Sequence, residues 1–428
     1  MACGRPAVLL GVLAVVAVTG VPAVAAPTYV RHEPAIAVAA PAAVYLEATY
    51  TGYLRDPAGR LISRDPVVVT RRCSGVVVSP EGHAVTTTVC IQPSEEVLLV
   101  NALYRHGREL VRQNDLAAEE LDGYVGGLLD SSVFTGRSRR SAPEHALVGQ
   151  PDPAISGNTA APAIAATVTA TLDPVDGNAA LVKLARPGLP AVEITAAELS
   201  PGVPLLIMGF GREETTDGSE RYRLRNRAVE VIGRTGTNRI GVSEQIGPDS
   251  RGGPVVNESG RLVALLDTDG SAAGEPIRDL ITAATLRRLL EQGNVDARLS
   301  EVDRAYRAAL GEYYLGRYSQ AVTRFDAVLR QDAAHPAALR YRERAQERLV
   351  RDGDATENSA EWTLYLVSAA GGAAIIAAIG HLPRLRQRSA SGAVADVPDT
   401  GELRQSILAS PASGADQPAP TPGTAETR

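Results

Sequence analysis

Between Ala26 and roughly Asn294, hydrophobic and polar residues alternate in short runs broken by Gly, Pro and Asp: AVYLEATYTGYL, PVVVTRRCSGVVVSP, HAVTTTVC, ALVKLA, VPLLIMGFG, AVEVIG, RIGVS and PVVNESGRLVALLDTD. Such spacing predicts many short strands in an antiparallel barrel or sandwich. NESGRLVALL reads as a hairpin turning at Ser259-Gly260. A closing helix is expected in IRDLITAATLRRLLEQ, with Ile281, Leu286, Leu289 and Leu290 on one face. NDLAAEELDGYVGGLLDSS is also helical in period, whereas TGRSRRSAPEHALVGQPDPAISGNTAAPA reads as a long exposed loop carrying Arg137, Arg139 and Arg140. From Val302 to Leu349 the period changes to 3.6.

Two continuous apolar stretches stand apart from this pattern. Residues 1–25 join Arg5, an apolar run from Ala7 to Val18 and the small-residue exit Ala23-Val24-Ala25, the pattern of a cleaved secretory signal. Residues 362–382 are uncharged over nearly twenty positions, open on Trp362 and Tyr365, and are followed by Arg384, Arg386 and Arg388. They are expected to form one transmembrane helix, with the arginines on the cytoplasmic side and the N-terminal part outside. The remainder, 383–428, is rich in Ala, Ser, Pro, Gly and Thr and is expected to be a disordered cytoplasmic tail.

Composition narrows the function classes. The formal net charge is -6 and Lys183 is the lone lysine among 43 basic residues, so no basic face for nucleic acid is foreseen. Once Cys3 leaves with the signal, Cys73 and Cys90 remain, most simply as one disulfide in an exported chain. The histidines and cysteines lack ligand-like clustering, and no cofactor or metal is expected.

Three motifs, in order, resemble the trypsin-like serine protease family and its HtrA-type branch. CSGVVVSPEGHAVTTTVC is similar to the segment in which cysteines bracket the catalytic histidine. DPVDGNAALVKLARPGLPAVEI is similar to the strand presenting the catalytic aspartate, and IGPDSRGGPVVNESGRLVAL to the loop carrying the nucleophile and oxyanion hole. The resemblance implies a mainly β, chymotrypsin-like fold over residues 26–294, with two six-stranded barrels and a cleft between them. It also implies that the chemistry has been lost. The histidine position is Val89, the aspartate position Asn178 and the nucleophile position Arg251, and neither an isopropyl group nor a guanidinium can attack or exchange the needed proton. In the former oxyanion loop, Asp249 stands where the family has glycine, ahead of Arg251, Gly252 and Gly253. Arg251 then either plugs the old site as a solvated or ion-paired side chain or donates to an acidic ligand group. The alternative machine, Ser250 with Asp176 and His83, requires side chains one, two and six residues out of register.

Within residues 300–350, RAYRAALGEYYLGRYSQAVTRFDAVLRQDAAHP resembles a tetratricopeptide repeat, with Ala309, Gly316, Ala321, Tyr318, Phe325 and Leu329 at or near packing positions and Pro336 later than usual. One repeat cannot bury a core alone, so it should pack on the barrels or on another chain. The expected molecule is a membrane-anchored, extracytoplasmic protease homologue. It would bind a peptide or protein partner at the cleft or the helical module and contact membrane lipid through one helix. An active serine endopeptidase is the alternative.

Overall fold

The computed structural model describes residues 29–355 apart from 152–153, 157–162, 197–198, 214–219, 235–239, 243–249 and 270–277. The predicted signal peptide, transmembrane segment and tail lie outside the described residues. No helix among the described residues is long and apolar enough to cross a membrane.

The alternating runs become β1 (Ala43–Arg55), β2 (Val67–Val77), β3 (His83–Thr87), β4 (Val133–Thr135), β5 (Glu144–Gln150), β6 (Ala154–Ser156), β7 (Ile164–Thr171) and β8 (Ala179–Leu184). Six of them close on one another in the order β2-β3-β8-β7-β5-β1, with β1 returning to pair antiparallel with β2, and β4 adds to the far end of β1. The barrel is filled by small and branched residues, among them Val44, Leu46, Val76, Val85, Leu181 and Leu184. Each removes apolar surface from water at about 25 cal/mol per Å². Gly75 lies inside this barrel, not in a turn: a Cβ there would press on Leu46 and the Val85 carbonyl at 3.0 Å.

A second barrel repeats the plan with β9 (Pro204–Glu213), β10 (Arg221–Arg234), β11 (Ile240–Val242), β12 (Pro254–Val256), β13 (Leu262–Asp269) and β14 (Arg278–Thr282). The order β11-β14-β13-β12-β9-β10 is closed by β11 on β10, and β6 crosses over to extend β10. Each sheet therefore has seven strands, one more than the six expected, because a short strand is appended outside each closed ring. β12 and β13 form the expected hairpin, with Gly260 at φ +72° in its turn.

Ahead of the first barrel lies α1 (Glu33–Ala39); α2 (Thr88–Ile91) follows β3, then α3 (Glu95–Arg112) and α4 (Leu121–Leu129). α3 starts where Ser94 Oγ accepts from the Val97 N–H, carries Glu95 and Glu96 in its first turn and buries Leu98, Ala102 and Leu103. Two expectations are corrected here. The long exposed loop contains β5, a barrel strand pairing with β1 from Thr51↔Glu144 to Tyr45↔Gln150. The closing helix is shorter, since α5 (Ala283–Gln292) begins only after Ile281, which belongs to β14; the β-branched Ile281 and Thr282 pair with Leu265 and Ala264 of β13, and Thr282 is the N-cap.

Three helices close the described chain: α6 (Glu301–Tyr314), α7 (Tyr318–Gln331) and α8 (Pro336–Asp352). Ser300 and Asp303 form a capping box at the start of α6, and the second Asp303 oxygen accepts from the Ala191 N–H at 3.2 Å. The same carboxylate thus starts the helix and ties it to the segment between the barrels. Tyr306, Tyr313, Tyr318, Phe325 and Tyr341 fill the space between the three helices around Ala309, Ala321 and Ala345.

Candidate functional site

Where the barrels meet, the first barrel contributes α2 and the end of the β7–β8 turn, and the second contributes the residues entering β12 and leaving β13. Cys73 in β2 and Cys90 in α2 are joined by a disulfide, which fixes the one-turn helix carrying Val89 onto the strand carrying Arg71. The Val89 N–H donates to Asn178 Oδ1 at 3.0 Å, and its carbonyl accepts from Arg71 Nη2 at 3.2 Å. The Thr88 N–H donates to the Asn178 carbonyl at 3.1 Å. Asn178 sits at φ +49°, a left-handed conformation that asparagine tolerates better than most side chains. Its buried amide then reaches the other barrel, with Nδ2 donating to Asp267 Oδ1 at 2.5 Å. Val89 and Asn178 are therefore brought together, and Asp267 joins them.

Arg251 is held next to this group by its backbone. Its carbonyl accepts from the Ser74 N–H at 2.8 Å, and the following Gly252 N–H donates to Leu266 at 2.7 Å. Gly252 lies at φ +75°, and a Cβ there would collide with Thr86 Oγ1 and the Ser74 carbonyl, so the turn between the barrels requires glycine. Gly253 donates to the Ser250 carbonyl at 2.9 Å and closes the turn into β12. Asp249, the remaining member of the expected oxyanion loop, lies outside the described residues. The Arg251 Nε–H is buried and has no hydrogen-bond partner. The guanidinium is thus not ion-paired within the described residues.

Arg71 faces the same place. Burial pulls its pKa down, and the nearby Arg251 charge adds to that effect. Beside it, burial pushes the Tyr50 phenol up to about 12 against the opposing pull of Arg71, and Tyr50 donates to the Ile91 carbonyl at 2.5 Å. The contrast with Arg72, the next residue of the strand and so on its opposite face, is sharp. Arg72 meets Glu47 at 3.2 Å and Glu220 at 3.0 Å and lies over the Tyr222 ring.

The alternative trio is not assembled. The Ser250 hydroxyl is fully buried and donates to the Phe210 carbonyl at 3.1 Å, while Ser74 Oγ from the first barrel accepts from the Phe210 N–H at 2.8 Å. His83 pairs with Ser79 Oγ at 2.9 Å, and burial first, then Lys183, holds its pKa low. Asp176 is exposed, and its carbonyl accepts from Arg288. Neither His83 nor Asp176 meets Ser250. Sequence reasoning passes over Arg71 and Asp267. A carboxylate ending the apolar run LVALLD, and adjacent arginines where a strand alternates faces, are the signals that mark them.

A family model for the trypsin-like peptidase domain matches residues 73–265. Among solved structures, the serine endoprotease from Yersinia pestis matches with 16% sequence identity, covering 62% of this chain and 67% of that one, at a TM-score of 0.35. No curated protein matches. Residues 73–265 thus match the trypsin-like peptidase domain, and the described chain has a chymotrypsin-like β-barrel fold followed by C-terminal helices.

Proposed function

We propose that this chain is a membrane-anchored, extracytoplasmic protein whose peptidase domain binds a peptide or protein segment without cleaving it. The observation that carries the reading is the make-up of the cleft. The positions that the motifs assign to imidazole, carboxylate and hydroxyl are Val89, Asn178 and Arg251, and the groups around them are hydrogen-bonded into place. General base catalysis needs a side chain that takes a proton within hydrogen-bond reach of a nucleophile. The one hydroxyl beside Arg251 in the chain, Ser250, is committed to a backbone carbonyl inside the second barrel. In this reading α6, α7 and α8 form a tetratricopeptide-like module beside the cleft. Residues 1–25 direct export, 362–382 hold the chain in the lipid, and 383–428 face the cytoplasm.

The test incubates the purified protein with casein and with a fluorophosphonate probe that acylates activated serines. No cleavage and no labelling are expected over a day at neutral pH. Turnover or labelling that disappears in Ser250→Ala would overturn the reading in favour of an endopeptidase.

A further inference from the structure

We propose that a row of arginines on β10, Arg221, Arg223, Arg225 and Arg227, is a docking surface for an extended acidic peptide whose carboxylates alternate along its chain. The inference rests on the reading that the peptidase domain binds peptide without cleaving it, and adds the chemistry of what is bound. The segment RYRLRNR puts an arginine at every second position. Alternate residues of a strand share a face at about 7 Å intervals, so the four guanidiniums leave one side of β10 in a line. All four residues are exposed, whereas Tyr222 between the first two is buried. Further along the same face, Val229 and Val231 fill the second barrel with Leu205 and Ile207. The row therefore begins where the barrel core ends, and solvent reaches it.

The neighbouring strand keeps that face clear. Opposite Arg223 and Arg225 on β9 stand Gly211 and Gly209. A Cβ on Gly211 would press on Arg225 Cδ at 3.0 Å; with glycine there, the Arg225 side chain reaches β9 and its Nη2 donates to the Arg212 carbonyl at 2.8 Å. A Cβ on Gly209 would collide with Ser250, so the row adjoins the turn that enters β12. Arg223 meets Glu213 at 3.7 Å with 62% of its side chain exposed, an ion pair weak enough in water for a ligand carboxylate to replace. No other strand among the described residues carries like charges at four successive alternate positions. The formal net charge of -6 gives no sign of this row. The repeat sets the class of ligand. An extended peptide presents alternate side chains at the spacing of the row, so its acids meet successive guanidiniums in register, and a run of adjacent acids does not. A single-stranded nucleic acid would need aromatic rings on which to stack its bases, and the row offers none, since Tyr222 is turned to the other face and buried.

The experiment measures the fluorescence anisotropy of fluorescein-labelled, amidated heptapeptides on the purified full chain. One alternates glutamate with threonine, a second has the same composition with its glutamates adjacent, and a third alternates glutamine with threonine. The alternating glutamate peptide should bind at least fivefold more tightly than the clustered one and at least twentyfold more tightly than the glutamine one. Both advantages should fall to within twofold in Arg223→Gln/Arg225→Gln and be kept in Arg137→Gln/Arg140→Gln, which removes two exposed charges from another loop. Arg223→Glu, at an exposed side chain, is read instead if the double variant does not fold. Equal binding of the alternating and clustered peptides, an advantage that survives in the row variants, or one lost equally in Arg137→Gln/Arg140→Gln would overturn the proposal. Displacement by a thymidine oligonucleotide at lower concentration than by unlabelled alternating peptide would likewise overturn it, as a nucleic-acid surface. Mass spectrometry of the same peptides reads cleavage separately: cut peptides count against the non-cleaving reading, and intact peptides bound without a preference for alternation count against the row alone.

Discussion

At position 178 the side-chain amide does what a carboxylate could not. Its oxygen accepts from Val89 while its nitrogen donates to Asp267, an acid on the other barrel. An aspartate at this position would set two carboxylates at hydrogen-bond distance with no proton between them. Asn178→Asp is expected to destabilise the protein by about 1–3 kcal/mol at neutral pH. The loss should shrink as pH falls toward the carboxylate range, where one of the pair takes a proton. It should also be relieved by the second substitution Asp267→Asn. Urea unfolding of the three variants at pH 7 and pH 4.5 checks this, and a neutral-pH Asn178→Asp as stable as the parent would show that the Asn178–Asp267 bond carries no weight. The same pair explains what the sequence could and could not disclose about the site. The motifs assign Val89, Asn178 and Arg251 because Cys90 and Gly252-Gly253-Pro254 fix the register locally. Asp267 and Arg71 are not so assigned, because their roles arise only when two barrels, far apart in sequence, are laid edge to edge.

Elements were legible in proportion to how strictly they alternate. The β12–β13 hairpin and the three final helices follow their periods closely, so their sequences suffice. α3 buries only a narrow stripe, Leu98, Ala102, Leu103 and Gly107, amid charged residues, and so gives little signal in the sequence. β5 hides in a polar segment because Glu144 and His145 at its start are exposed and only Leu147, Gly149 and Gln150 are enclosed. Ile281 fits a helical face on paper, yet it pairs with Leu265 in the second barrel. In α8 the start is set by His335, whose Nδ1 accepts from the Ala338 N–H at 3.1 Å and so carries no proton; its Nε2 is buried without a partner, and the ring packs on Tyr306. Burial, against the smaller pull of Asp332 and Asp303, holds its pKa low. The unfolded chain takes up a proton at the ordinary histidine value while the folded one does not. Stability from this residue is therefore complete above about pH 6.5 and is lost as pH falls below it. His83, His106 and His145 are shifted the same way, so the informative quantity is a difference. His335→Asn keeps a capping acceptor without a titrating ring. Its melting temperature should fall less than the parent's between pH 7 and pH 5, and parallel curves would remove His335 from the account.

On the scale of the whole described chain, the helical module is not an appendage. The barrels and the three helices fall within one compact unit, and the first described residues help to join them. Tyr29 donates to the Tyr313 carbonyl at 2.8 Å, meets the Tyr318 hydroxyl at 3.0 Å and stacks edge-on against Tyr314. The helix α1 then runs between α6 and the β12–β13 turn, where Tyr306 donates to the Ala37 carbonyl, Gly260 admits Val38, and Arg31 pairs with Glu258. On the far side, Asp303 and Arg307 hold the segment between the barrels. Three short helices have too little apolar surface to be stable alone. Their missing partner here is the N-terminal segment of the same chain, which completes the tyrosine core and anchors it to the barrel. Unfolding of residues 26–355 should therefore be one calorimetric transition. Tyr29→Ala removes two hydrogen bonds and a ring from that core and is expected to cost about 2–4 kcal/mol. Ala37→Arg, which puts a charge into the α1–α6 contact, should go further and split the endotherm, with the helices melting first. Two transitions in the parent, or a single unshifted one in both variants, would mean that barrels and helices fold independently and that the N-terminal segment merely rests on them.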